Sequence, residues 1–127
     1  MRILVTGCAG FIGYHLSNRL CKYKKYQVFG IDNMNNYYDV NLKKNRLKIL
    51  KKNKNFLFSK FSINNTKKLE QNFCRNKYDV VINLAAQAGV RYSIQDPKSF
   101  MDTNISGFFN VLELSRTYNI KHLVYAS

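Results

Sequence analysis

Five short apolar runs alternate with four longer amphipathic stretches along this chain. The runs are Ile3–Thr6, Val28–Asp32, Phe56–Phe61, Val80–Leu84 and His122–Ala126. Each is continuous instead of alternating, the pattern of strands covered on both faces of a parallel sheet. Strand and helix in regular succession predict an α/β fold: a doubly wound parallel sheet of five strands with four helices. In the first helix Ile12, Leu16 and Leu20 stand at i, i+4 and i+8 and predict a core-facing stripe. The second starts near Asp39, a candidate cap, and turns Leu42, Leu47 and Leu50 toward the sheet. The third follows Asn64-Asn65-Thr66 and carries Leu69 and Phe73 one turn apart. The fourth has Asp96 as cap and Pro97 at its first position. Phe100, Met101, Ile105, Phe108 and Leu112 mark its expected buried side. Phe109 and Leu114 fall off that stripe, which fits either a helix packed between layers or a subunit contact.

The stretch Val5–Gly13, Val-Thr-Gly-Cys-Ala-Gly-Phe-Ile-Gly, joins the first strand to the first helix. Glycine at position 7 permits a tight turn. Gly10 lets a bulky anion approach the backbone, and Gly13 lets the helix pack close to the sheet. The helix N-terminus then offers unpaired N–H groups and a positive dipole end to a pyrophosphate. Alone, such a triplet also fits an ordinary tight turn between strand and helix. The context argues for a dinucleotide site: strand before, helix after, and Asp32 closing the second apolar run where an acidic residue takes ribose hydroxyls. The arrangement is Rossmann-type, which implies the strand order 3-2-1-4-5. Its G-x-x-G-x-x-G spacing resembles that of the short-chain dehydrogenase/reductase superfamily.

At 127 residues the chain is one domain's worth and long enough for a real core. It is 46% hydrophobic, yet no apolar run approaches a membrane span. Met1-Arg2 leads straight into a strand, leaving no room for a signal peptide, so a cytoplasmic protein with no membrane partner is expected. Cys8, Cys21 and Cys74 lie far apart without metal-ligand spacing; they fit buried or inert thiols in a reducing compartment, and no metal site is expected. His15 and His122 are isolated and read as structural or surface residues. The net charge is +14, with seven basic residues between Lys43 and Lys54. That run has no interleaved aromatics and no recognised nucleic-acid motif, so it reads as a solvated helix face and no nucleic-acid partner is expected. It can still attract acidic substrates without specificity.

Five motifs then occur in order: Val5–Gly13; Asp32-Asn33-Met34-Asn35-Asn36-Tyr37-Tyr38-Asp39; Val81 through Ser93, with Leu84-Ala85-Ala86-Gln87-Ala88-Gly89-Val90-Arg91-Tyr92; Thr103-Asn104-Ile105-Ser106-Gly107; and His122 to Ser127. The series resembles the NAD-dependent epimerase/dehydratase family, the extended short-chain dehydrogenases/reductases. Its Tyr-Tyr-Asp segment and Gln-Ala-Gly-Val-Arg-Tyr-Ser loop look most like the UDP-glucuronate 4-epimerase branch. The resemblance implies NAD as cofactor, with Gly7, Gly10, Phe11, Ile12 and Gly13 at the pyrophosphate and Asp32 on the adenosine ribose. A 2′-phosphate beside that carboxylate would be repelled, which favours NAD over NADP. By the same resemblance Asn33 and Asn36 line the ribose and phosphate edge, Leu84, Ala85 and Ala86 flank the cofactor, and Asn104 lies near its nicotinamide half. The alanines also fit a need for close packing, and Asn104 a packing or surface role. Arg91 faces a substrate phosphate or carboxylate, or is a solvated loop arginine. Ser62-Ile63 departs from the family, which has an Asp-Ile or Asp-Leu pair there to hold the adenine amino group. Serine accepts one hydrogen bond but brings no charge, so weaker adenine recognition is expected.

The family's chemistry uses a Ser or Thr just after the fifth strand and a Tyr-x-x-x-Lys on the next helix. No tyrosine here has a lysine four residues on; Tyr118 has His122. Ser127 reads as the start of the expected serine run, Tyr125 as a core or cofactor-flanking strand residue, and no residue of the chain as catalytic. Residues 1–127 are therefore expected to be an NAD-binding domain cut short before a sixth strand and a carboxy-terminal substrate domain. Such a chain binds NAD at most. The complete enzyme is expected to be an isomerase: a homodimeric epimerase of a UDP-sugar in polysaccharide biosynthesis, working by transient oxidation at the sugar C4. A dehydratase or reductase of the same family and a non-catalytic nucleotide-binding fragment are the alternatives.

Overall fold

Strand β1 (Arg2–Thr6) is the central strand of a five-stranded parallel sheet, in a computed structural model that describes all 127 residues. Strands β2 (Gln27–Asp32) and β3 (Phe56–Lys60) extend the sheet on one side, β4 (Val80–Asn83) and β5 (His122–Tyr125) on the other. The order is β3-β2-β1-β4-β5, as the Rossmann-type reading implies. Leu4 pairs in register with Phe29 on β2 and Val81 on β4.

Successive strand residues point to opposite faces, and each face builds its own core. Ile3, Val5, Val28 and Phe56 meet Cys21 of helix α1 (Phe11–Cys21) and Leu47 and Leu50 of α2 (Val40–Leu50). Leu4, Phe29, Ile31 and Val81 meet Leu69 and Phe73 of α3 (Thr66–Asn76). Past a short helix α4 (Val90–Gln95), the last helix begins as α5 (Pro97–Phe100), continues as a π-helical stretch (Met101–Gly107) and ends as α6 (Phe108–Thr117). Val111 and Leu114 of α6 complete the second core. The two expected caps are in place: Asp39 accepts the N–H of Asn41 at 2.8 Å and Asp96 that of Ser99 at 3.2 Å; Asn65 caps α3, accepting the N–H of Lys68 at 3.0 Å.

Three helix faces differ from those the hydrophobic pattern predicts. In α1 the buried residues are Gly13, Ser17 and Cys21, while Ile12 is 64% exposed and Leu16 and Leu20 are half-buried. In α2, Lys43 is buried and Leu42 exposed. In the last helix Gly107, Val111, Leu114 and Ser115 are buried, whereas Met101, Ile105 and Leu112 are exposed. The cause is close approach at two glycines: Gly13 of α1 packs on the Gly7–Cys8 turn, and Gly107 of the π-helical stretch packs on the segment after β3. A Cβ at Gly107 would overlap the Asn64 side-chain oxygen and stand 2.8 Å from Ile63. The π-helical stretch also widens the turn, so spacing drawn at 3.6 residues loses phase across it. Ser17 carries the cost of this close approach, because its hydroxyl is buried without a hydrogen-bond partner.

Helix α4 is one more helix than the four expected, and it places Arg91 on a helix instead of in a loop. Cys8 and Cys21 are buried and Cys74 is exposed; none is in a disulfide. Burial pushes the Cys21 thiol up to about 11. It raises Cys8 as well, with the Asp32 carboxylate adding to the effect. No helix is long and apolar enough to cross a membrane.

Candidate cofactor site

Two strand ends set the floor of the site. The Thr6 hydroxyl donates to the Asn83 Oδ1 at 2.6 Å and accepts the N–H groups of Leu84 and Ala85 at 3.2 and 3.1 Å. This locks the carboxyl ends of β1 and β4 side by side, with the glycine turn against Leu84-Ala85. Gly7 has φ +68°, in the left-handed region, and a Cβ there would stand 2.8 Å from the Ala85 nitrogen. Glycine satisfies both demands. The Gly10 N–H then donates to the Gly7 carbonyl at 3.0 Å, and α1 begins. No side chain caps α1 and its first turn holds no acidic residue. The N–H groups of Phe11, Ile12 and Gly13 therefore have no side-chain partner, and the positive end of the helix dipole opens beside Gly10, which lines the cleft. That is the arrangement in which helix termini bind phosphate. A Cβ at Gly10 would meet only the Gly7 oxygen at 3.1 Å and the Tyr38 hydroxyl at 3.9 Å, so the space beside the turn is open to a ligand.

Asp32, at the end of β2, is 7% exposed. One carboxylate oxygen accepts the N–H of Ala9 at 3.1 Å and the other that of Met34 at 2.8 Å. The Met34 bond closes a turn in which Met34 takes φ +57°. A second such turn follows, with the Asn35 N–H donating to the Asn33 side chain at 3.0 Å. The Lys43 ammonium reaches in from α2 and stands 3.9 Å from Asp32. It donates to the Asn35 carbonyl at 3.1 Å and the Asn35 side-chain oxygen at 2.7 Å, and lies 4.7 Å above the Tyr38 ring. Burial holds Lys43 below the ordinary lysine value; the Asp32 charge opposes this and Arg46 reinforces it. Arg46 binds the Ala9 carbonyl at 3.2 Å and the Tyr38 hydroxyl at 3.1 Å, fastening α2 to the glycine turn.

These groups border one cleft of about 220 Å³ across the carboxyl end of β1. Of the residues singled out by sequence, Gly7, Gly10, Asp32, Asn33, Ser62, Ile63, Leu84, Ala85 and Ala86 line it. Phe11 and Ile12 do not: their side chains are exposed and only their backbone belongs to the helix start. Gly13 is buried beneath the turn. Asn36 is exposed and off the cleft, and Asn35 takes the lining place expected for it. Ser62 spends its oxygen on the Asn64 N–H at 3.2 Å. Asn104 lines a neighbouring cavity together with Phe108 and Tyr125, and its side chain is committed to the backbone. It accepts the Gln87 N–H at 2.8 Å and donates to the Gln87 carbonyl at 2.9 Å. Tyr125 is 54% exposed, a cavity wall and not core. Arg91 is exposed and lines neither cavity.

Sequence reasoning missed Lys43, Arg46, Tyr37 and Tyr38. Lys43 was hidden inside a basic run that reads as a solvated face. Its signal is position: Lys43, Leu47 and Leu50 share helical spacing, and these are the buried residues of α2.

The donor set fits a dinucleotide. Free N–H groups suit a pyrophosphate, a buried carboxylate suits a ribose diol, and the aliphatic wall of Ile63 and Ala85 suits a flat base. Comparison with known proteins agrees. Residues 4–127 match the family model described as GDP-mannose 4,6 dehydratase. The chain is 52% identical over 127 residues to protein CapI of Staphylococcus aureus, covering 100% of this chain and 37% of that protein. It is 47% identical over 124 residues to the UDP-glucuronate 4-epimerase of Thermodesulfobacterium geofontis, covering 98% of this chain and 38% of that one. The UDP-glucuronic acid 4-epimerase of Bacillus cereus, solved in complex with UDP-glucuronic acid and NAD, superposes with a TM-score of 0.84 at 37% identity. The match spans 98% of this chain and 39% of that one. The chain thus spans less than two-fifths of the length of each protein it matches here. By the family match along nearly all of its residues, this chain belongs to the NAD-dependent epimerase/dehydratase family.

Proposed function

We propose that this chain is the cofactor-binding portion of an NAD-dependent nucleotide-sugar epimerase whose substrate is UDP-glucuronate. One observation carries the reading: the uncapped start of α1 and the buried Asp32 face the same cleft on either side of the glycine turn. In this reading the N–H groups of Phe11, Ile12 and Gly13 hold the pyrophosphate, and Asp32 accepts from the ribose hydroxyls. Ile63 and Leu84 flank the base, and Ser62 contributes a weak polar contact. When bound, NAD supplies a reversible hydride acceptor. The likeness to epimerases of UDP-glucuronate supports the substrate.

Isothermal titration of the purified protein with NAD and NADP tests the cofactor. NAD is expected to bind and NADP to bind at least about tenfold more weakly, since a phosphate would face Asp32. No binding of either would sink the reading. The chain has no Tyr-x-x-x-Lys pair, so residues 1–127 alone are expected to bind NAD without converting UDP-glucuronate. Appearance of UDP-galacturonate would refute that. The description of the matching family model favours a second reading, a nucleotide-sugar dehydratase. Product mass separates the two for the whole protein: an epimer keeps the substrate's mass, and dehydration removes one water.

The exposed face of the last helix supports association of two copies. Met101, Ile105, Phe109 and Leu112 follow one another at spacings of three or four, all at least 45% exposed. Contiguous apolar surface of this kind marks a contact site. Sedimentation is expected to show a dimer that Phe109→Asp weakens; a parent that stays monomeric at high concentration would overturn this.

A further inference from the structure

Two segments meet above the glycine turn although they start on opposite sides of it. The β2–α2 loop, residues 33–39, leaves the sheet to one side of β1, and the β4–α4 loop, residues 84–89, leaves it to the other. The strand order therefore requires any contact between them to pass over the carboxyl end of β1, where the turn and the free N–H groups of α1 lie. Tyr37 makes that contact. Its ring lies 4.9 Å from the Tyr92 ring, centroid to centroid, and its hydroxyl rests on Gly89. A Cβ at Gly89 would overlap that hydroxyl, and Gly89 sits at φ +101°, where a side chain is strained in any case. Absence of a side chain at position 89 is thus what admits Tyr37.

Both ends of the contact are anchored. On one side the Asp32 and Asn33 turns set the loop, and Tyr38 next door is held by Arg46. On the other, Asn104 grips both backbone groups of Gln87, and the Tyr92 hydroxyl donates to Asp96 at 3.3 Å. The crossing residue itself is 42% exposed, so its placement contributes little to the core. Tyr37 and Ala88 border the same cleft as Gly7 and Gly10.

We propose that Tyr37, seated on Gly89 and against Tyr92, is a strap across the bound dinucleotide that governs how fast the cofactor enters and leaves. This rests on the cofactor reading above. The chemistry of that reading gives the strap a purpose. In epimerisation one hydride leaves the sugar carbon and returns to it, with no net oxidation, so the cycle needs no exchange of cofactor. Loss of the reduced cofactor midway would strand the oxidised sugar.

Stopped-flow displacement, following the fluorescence of bound NADH as excess NAD chases it from the purified protein, gives the release rate; mixing NADH with free protein gives the entry rate. Tyr37→Ala is expected to speed release by about tenfold, the upper end of what one aromatic pair holds. Entry should accelerate with it, leaving Kd within about threefold, because a strap slows both directions while a simple contact slows release only. Gly89→Ala, which displaces the hydroxyl but keeps the ring, should act the same way, and the two changes together should add little. An unchanged release rate in Tyr37→Ala overturns the strap. Faster release with unchanged entry overturns it too, making Tyr37 an ordinary contact. If the parent binds no NADH, the cofactor reading fails and the strap falls with it. Circular dichroism of both variants matching the parent excludes misfolding as the source of a faster release.

Discussion

Gly13→Ala is expected to lower the melting temperature by on the order of 10 °C and to erase the stabilisation that NAD gives the parent. The added methyl would overlap the Gly7 carbonyl oxygen and stand 2.9 Å from the Cys8 Cα, both backbone atoms. A flexible side chain could move away, but this backbone cannot. The Gly7 carbonyl already accepts the Gly10 N–H, and Gly7 is wedged against Leu84 and Ala85. Overpacking costs about 1–3 kcal/mol, and a clash with pinned backbone belongs at the top of that range. The one direction of relief lifts the first turn of α1 off the sheet. That movement carries away the N–H groups of Phe11, Ile12 and Gly13, so stability and anion binding fail together. Scanning calorimetry with and without NAD checks both. A variant melting within about 2 °C of the parent, with the full NAD-induced rise, would show that the turn yields and that the close approach is not required.

The same close approach explains why the sheet was legible in the sequence and the helix faces were not. Strand positions such as Val28 to Ile31 follow from a backbone pattern with one reading: apolar, continuous and bounded by breakers. A helix face read from sequence rests on the largest apolar side chains, and in this chain size does not mark the core. In α1 the contact belongs instead to Gly13, Ser17 and Cys21, and in the last helix to Gly107, Val111, Leu114 and Ser115. Burial there is set by which residues a neighbouring segment approaches, a property of two elements together that no single window of sequence contains.

The site divides along the same line. Gly7, Gly10 and Asp32 were legible because local backbone demands and a fixed spacing dictate them. Lys43 and Tyr37 were not, because their roles come from what lies across the cleft. Lys43 is one cation among many until β2 places Asp32 3.9 Å away. Tyr37 is one aromatic in a loop until the strand order brings Gly89 beneath it. Asn104 shows the reverse case. The family resemblance puts it near the nicotinamide half, with packing as the other reading, and its side chain binds both backbone groups of Gln87.

Asp32→Asn is expected to cost the fold about 3 kcal/mol, the lower end for breaking a buried ion pair from one side. The carboxylate uses separate oxygens for Ala9 and Met34. An amide has one oxygen, so one of those N–H groups would face an NH₂ donor. Lys43, 4% exposed, would also lose its nearest negative charge. Burial already draws Lys43 below its ordinary value, and Asp32 opposes that pull. Without Asp32 the ammonium should drop further. A lysine whose folded value lies below its unfolded one gives up its proton first in the folded state, so stability rises with pH between the two values. The deficit of Asp32→Asn should therefore shrink as pH climbs toward the ordinary lysine range. Lys43→Met on the same background should remove that dependence. Cofactor choice should follow the charges: with Asp32 neutral and Lys43 still cationic, preference for NAD over NADP should fall at least about tenfold, or 1.4 kcal/mol. Adding Lys43→Met should withdraw whatever NADP gained. Chemical denaturation across pH and titration with both dinucleotides measure these effects. If Asp32→Asn kept the parent's stability and its preference for NAD, the carboxylate would be neither the counter-charge of Lys43 nor the reader of the ribose.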